Sequence, residues 1–211
     1  MIHNFKYFPQ IQNYDDLTAA RFIDTAVTRL EDFKPCQENI AMLGDARKPL
    51  RILDFGCGLG RNLVGIAEHS NKWQVWGYDH PTMLERAKKF YEKRLTANSQ
   101  IVLCDDWENA VLPLGREKPF DFIFTSLVLQ HIDLLELKQY LKDFTTITEK
   151  LYVLSRRALD DGWKESEFIS IWPVVAEFFE LADAQDGLKD GNSPHDHHYG
   201  IYKRKKHAAI V

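Results

Sequence analysis

The stretch Arg51-Ile-Leu-Asp-Phe-Gly-Cys-Gly-Leu-Gly-Arg-Asn62 sets the reading of everything around it. An apolar run ends in Asp54, glycines follow at alternate positions 56, 58 and 60, and Leu63, Ile66 and Ala67 then recur at helical spacing. The order is strand, tight turn, helix start. Glycine tolerates positive φ and carries no Cβ, so such a turn bends sharply and lets a ligand touch main chain. A nucleotide-like cofactor is implied. The spacing departs from the dinucleotide pattern Gly-x-Gly-x-x-Gly, whose third glycine lets the helix pack close to the strand. Counted from Gly56, that place holds Arg61.

Downstream, strand-like runs alternate with amphipathic stretches. Strands are expected at Arg51 to Asp54, Gln74 to Asp79, Ile101 to Cys104, Phe120 to Ser126 and Lys150 to Ser155. The fourth, Phe120-Asp-Phe-Ile-Phe-Thr, is nearly apolar, as a central strand covered on both faces should be. Pro81 suits a first helical position, and Asp133-Leu-Leu-Glu136 resembles a capping box ahead of the stripe Leu134, Leu137, Leu141 and Phe144. After the fifth strand the rhythm changes. A helix is expected over Glu165 to Val175, then strands at Phe178 to Ala184 and Tyr199 to Lys203 with no helix between them, which predicts an antiparallel hairpin. Upstream, Leu17, Ala20, Ile23, Val27 and Leu30 form a helical stripe closed by Lys34-Pro35. The expected fold is α/β: a doubly wound, seven-stranded, mostly parallel sheet with an antiparallel C-terminal hairpin strand and an N-terminal helical cap. One domain is expected, with the cap over 1–48, the core over 49–206 and a tail at 207–211.

With Asp54 two residues ahead of the first glycine, Leu-Asp-Phe-Gly-Cys-Gly-Leu-Gly resembles the first motif of class I S-adenosylmethionine-dependent methyltransferases, and the terminal strand pair resembles the end of their sheet. The resemblance implies S-adenosylmethionine as cofactor. Gly56, Gly58 and Gly60 would let backbone approach its methionine part, and Asp54 would organise the turn. Asp79, at the end of the second strand, can accept two hydrogen bonds from a ribose diol. After the third strand, the resemblance places an adenine-binding acid at Asp105 or Asp106, while Trp107 either flanks the ring or packs beneath its loop. Ser126 closes the fourth strand, where the family lines the boundary between cofactor and substrate. The sequence there, Thr125-Ser126-Leu127-Val128, is not the Asn-Pro-Pro-Tyr of adenine and glutamine amino-methyltransferases, and no Pro-Cys nucleophile for 5-methylcytosine chemistry stands in this loop. His131 is the candidate general base, since imidazole exchanges protons near neutral pH; a structural role at the start of the next helix is the alternative.

The composition, 45% hydrophobic and 27% charged, is that of a globular protein. A formal net charge of −4 gives no global reason to bind nucleic acid. The one basic cluster, Lys203-Arg-Lys-Lys206, reads first as a solvated strand end and second as a phosphate patch. Cys36, Cys57 and Cys104 form no close pair and fit free thiols. The opening residues lack a signal peptide's apolar core and no run is long enough to span a bilayer, so a cytoplasmic protein without membrane contact is expected. His195, Asp196, His197 and His198 invite a metal, but they fall in a predicted hairpin turn where adjacent side chains diverge, and no metal is expected. Tyr14, Arg21, Trp163 and Trp172 lie in regions that roof the crevice in related enzymes; for Trp172, core packing is the simpler role. The expected activity is methyl transfer to an oxygen or nitrogen of a small molecule. The alternatives are a non-catalytic methyltransferase-like partner subunit and a nicotinamide-dependent dehydrogenase, the latter disfavoured by Arg61. Neither oligomeric state nor acceptor is encoded in composition.

Overall fold

The computed structural model describes residues 44–58, 60–92, 101–126, 128–156, 171–188 and 197–205. The expected N-terminal helix, Trp163 and the His195-Asp196 pair lie outside them. The described elements run β1 (Arg51–Phe55), α1 (Arg61–His69), β2 (Gln74–Tyr78), α2 (Pro81–Glu92), β3 (Ile101–Cys104), a π-helical turn (Trp107–Val111), α3 (Leu112–Glu117) and β4 (Phe122–Ser126). A 3-10 turn (Leu129–His131), α4 (Leu134–Ile147), β5 (Lys150–Arg156), α5 (Trp172–Phe178), β6 (Phe179–Leu188) and β7 (His197–Arg204) complete the chain. The strands form one seven-stranded sheet in the order β3-β2-β1-β4-β5-β7-β6. β2 runs parallel to β1 and β3, β5 runs parallel to β4, and β7 lies antiparallel between β5 and β6. This is the predicted doubly wound sheet with its antiparallel terminal strand. No helix of the described residues is long and apolar enough to cross a membrane.

By packing, the chain divides in sequence between Leu114 and Gly115. In the first unit every residue of β1 is buried, and Phe55, Ile52 and Leu53 are fully so, because helices cover both faces of a parallel strand. Leu63, Val64 and Ile66 bury the inner face of α1. Gly77 on β2 permits that close approach: a Cβ there would stand 2.5 Å from Leu63 Cδ1 and 2.9 Å from Cys57 Sγ.

In the second unit, β4 starts at Phe122 rather than Phe120. Phe120 makes only an isolated bridge to Thr148, donating its N–H to Ile147 O and accepting from Thr148 Oγ1, so the end of α4 draws it out of the ladder. Asp133 caps α4 as expected, its Oδ1 accepting from Leu135 N at 3.0 Å. Of the predicted stripe, Leu137, Leu141 and Phe144 are fully buried while Leu134 is 44% exposed, because the first turn overhangs the core. The helix expected over Glu165 to Val175 is described only as α5. It starts at Trp172, since Pro173 has no N–H to donate and belongs in a first turn. The part before Ile171 lies outside the described residues.

β7 extends further back than expected, so His197 and His198 are strand residues paired with Arg156 and Ser155, not residues of a hairpin turn. At its other end, two residues of the basic cluster bind the second unit's main and side chains. Arg204 donates from Nη1 to Thr145 O at 2.7 Å and from Nη2 to Glu149 Oε1 at 3.3 Å, and Lys205 Nζ donates to Ala176 O. Cations thereby meet the carbonyl ends of α4 and α5, where the helix dipoles favour positive charge.

The crowding at Gly77 predicts that Gly77→Ala lowers stability by about 1–3 kcal/mol, the cost of overpacking. Urea unfolding measures it; an unchanged midpoint would mean that α1 can lift from the sheet freely.

Candidate functional site

The turn after β1 is built from three left-handed glycines, Gly56 (φ 75°), Gly58 (φ 57°) and Gly60 (φ 81°). Side-chain-bearing residues rarely adopt this conformation, which explains the alternate spacing. The turn is tied to the end of β2: Gly56 N and Cys57 N both donate to Tyr78 O, at 2.8 and 3.1 Å. One residue on, Asp79 Oδ2 accepts from Gly58 N at 2.6 Å and Oδ1 from His80 N at 2.7 Å. Asp79 is 8% exposed, and burial raises its carboxyl above the ordinary value of 3.8, the bonds from Gly58 and His80 opposing this in part. Each carboxylate oxygen keeps a second acceptor direction. Asp54 is fully buried beneath the turn.

Beyond its chain neighbours, a Cβ built on Gly58 would meet only Met83 Cε, at 3.9 Å, an ordinary van der Waals contact. A ligand can therefore rest on the main chain here, next to a buried acid with acceptor capacity left. These features fit the amino-acid and ribose parts of S-adenosylmethionine. The Asp79–Gly58 bond was not legible in the sequence; it appears only when β1 and β2 align in register.

At the exit of β3 the structure separates the two candidate acids. Asp106 caps the π-helical turn, its Oδ1 accepting from Asn109 N and its Oδ2 from Asn109 Nδ2, both at 2.9 Å. Those bonds hold its carboxyl below the usual range. Asp105 is exposed and makes no hydrogen bond to a described residue. Trp107 is 3% exposed, its ring 5.4 Å from Phe55 and 5.2 Å from Tyr78, which themselves lie 5.3 Å apart. Of the two roles open to Trp107, its ring takes the packed one, in the core against Phe55 and Tyr78.

In the second unit, Ser126 ends β4 half-buried, and Thr125 is 1% exposed with no hydrogen-bond partner for Oγ1 among the described residues. His131 ends the 3-10 turn half-buried, its N–H donating to Val128 O at 2.9 Å and its Nε2 3.4 Å from Gln130 Nε2. Among the described residues no group of three or more His, Cys, Asp or Glu could hold a metal ion. Burial, with the charges of Asp54 and Asp79, pushes the Cys57 thiol well up, which suits packing and not nucleophilic attack.

Residues 52–150 match the family model for the methyltransferase domain. No curated protein matches the chain. Among solved structures it is similar to an S-adenosylmethionine-dependent methyltransferase from Aquifex aeolicus at 17% identity, covering 84% of this chain and 93% of that one with a TM-score of 0.65. Magnesium protoporphyrin IX methyltransferase from Synechocystis PCC 6803 with bound S-adenosylmethionine matches at 16% identity over 87% and 84% of the two chains, with a TM-score of 0.60. An N-methyltransferase from Bradyrhizobium japonicum WM9 in complex with S-adenosylhomocysteine matches at 14% identity over 81% and 86%, with a TM-score of 0.59. At such identities the likeness establishes the fold.

Because the native Asp79 carboxyl is raised, the folded state holds its proton more tightly than the unfolded chain does. The stabilising contribution of that proton is therefore lost as pH rises past the ordinary carboxylate value. The stability of the parent relative to Asp79→Ala should decline as pH rises from about 4 to about 7. Urea unfolding of both proteins across that range checks the sign, and a rising difference would mean the two backbone bonds outweigh burial.

Proposed function

We infer that this chain, which carries a class I S-adenosylmethionine-dependent methyltransferase domain, moves a methyl group to an oxygen or nitrogen of a small-molecule acceptor. The observation that carries the reading is the Asp79–Gly58 bond in a turn of three left-handed glycines. A dehydrogenase is disfavoured because α1 begins at Arg61, where the dinucleotide pattern needs its third glycine.

S-adenosylmethionine supplies a methyl group already activated on a sulfonium centre. The residues of this chain then have to bind, align and exclude water. Gly56, Gly58 and Gly60 present bare main chain to the amino-acid end, and Asp79 accepts from the ribose hydroxyls. Asp105, with its carboxylate free of hydrogen bonds to described residues, is assigned to the adenine amino group; Asp106 and Trp107 hold the loop that carries it. Ser126 and His131, at and after the end of β4, are assigned to the acceptor side, His131 taking the acceptor's proton on an imidazole nitrogen. The neighbour acting on magnesium protoporphyrin IX supports a small-molecule acceptor, as does the absence of an Asn-Pro-Pro-Tyr motif after β4.

Incubating the protein with methyl-labelled cofactor and fractionated metabolite pools should yield a labelled small molecule. Label appearing only in protein or nucleic acid would overturn the acceptor class. Gly58→Ala should strain the turn, because φ 57° is a conformation that side-chain-bearing residues rarely adopt, and should weaken cofactor binding and labelling; full activity in that variant would place the cofactor elsewhere. His131→Ala should lower single-turnover rates about 100-fold or more with unchanged cofactor affinity, the deficit shrinking at high pH as the acceptor ionises unaided. Equal rates across pH would leave alignment alone to carry the reaction.

A further inference from the structure

We propose that His80 is a positioning residue for Asp79, acting through a helix cap that holds only while its imidazole is neutral. The proposal rests on reading Asp79 as the ribose acid.

Three bonds run in series. Thr82 N donates to His80 Nδ1 at 3.3 Å, His80 N donates to Asp79 Oδ1 at 2.7 Å, and Gly58 N donates to Asp79 Oδ2 at 2.6 Å. His80 O also accepts from Met83 N at 2.9 Å and Leu84 N at 3.1 Å, so His80 is the residue that opens α2, with Pro81 in the first helical position. The side chain of such a residue accepts from the second or third helical N–H, a task usually given to Ser, Thr, Asp or Asn. Those acceptors do not change near neutral pH. An imidazole nitrogen does: once protonated it becomes a donor facing the Thr82 N–H, and its charge lies at the positive end of the helix dipole. Both effects detach the ring and loosen the 79–80 backbone that aims the carboxylate.

One neighbour acts the other way. A protonated His80 and the Asp79 carboxylate attract one another electrostatically. The other titratable or charged groups on the elements that meet here are Asp54 and Cys57 at the glycine turn, Tyr78 at the end of β2, Cys104 and Asp105 at the end of β3, and Glu85, Arg86, Lys88, Lys89, Tyr91 and Glu92 on α2. A protonated ring that leaves its cap is attracted to the acid beside it.

The test titrates S-adenosylhomocysteine into the full chain at about pH 8 and about pH 5.5, on either side of the usual imidazole range, for the parent, His80→Asn and His80→Leu. Thermal unfolding without ligand is recorded on the same samples. The parent should lose about five- to tenfold in affinity at acid pH, the scale of a lost cap. The Asn variant, whose amide oxygen caps at both pH values, should hold its affinity, and the Leu variant should bind weakly at both. Parallel acid losses in parent and Asn variant would overturn the proposal and put the sensitivity on Asp79 itself; so would a Leu variant that binds like the parent at the higher pH. If S-adenosylhomocysteine binds the parent at neither pH, the cofactor reading fails, and unfolding still judges the cap. Acid should then lower the melting temperature of the parent more than that of the Asn variant, and equal shifts would refute it.

Discussion

The carboxylate of Asp79 is the constraint on which the site depends. It is buried at the end of β2 and bonded to the main chain on both sides, to Gly58 across the sheet and to His80 in its own chain. Two backbone donors do not fully replace water for a buried charge, so its affinity for protons is raised. A ligand hydroxyl donating to its remaining acceptor directions would ease that deficit. Burial thus puts an electrostatic cost on Asp79, and under the proposed function a ribose hydroxyl would offset it.

The same bond explains why the three glycines must be glycines at once. Gly58 N reaches Asp79 only from a left-handed conformation, and the neighbouring turns at Gly56 and Gly60 return the chain from β1 into α1. Beneath them Phe55, Tyr78 and Trp107 pack in mutual contact at the ends of β1 and β2, fixing the height of the loop that bears Asp105 and Asp106. Packing and recognition are coupled through this aromatic floor.

The strands were legible because buried parallel strands are written as short apolar runs, and β3 matches its expected bounds residue for residue. One strand end was misplaced where a competing local bond intervened, Phe120 being drawn to the end of α4. The glycine turn was legible as a motif, but the local roles of the acids after β3 were not. Nothing in Asp105-Asp106-Trp107 says which acid caps a helical turn and which faces outward, because that follows from Asn109 swinging back onto Asp106. Likewise the basic run Lys203-Arg-Lys-Lys206 read first as a solvated strand end, whereas Arg204 and Lys205 meet carbonyls of α4 and α5 that are distant in sequence.

The most direct test of this account is calorimetric titration of S-adenosylhomocysteine and NAD into the parent protein and into Asp79→Asn. The Asn variant preserves size but replaces one of the two acceptor oxygens with a donor. Saturable binding of S-adenosylhomocysteine to the parent, no binding of NAD, and an affinity at least about tenfold lower in the variant is the predicted result, on the scale of a hydrogen bond to a charged group. Binding of NAD by the parent, or S-adenosylhomocysteine bound equally well by both proteins, would contradict it.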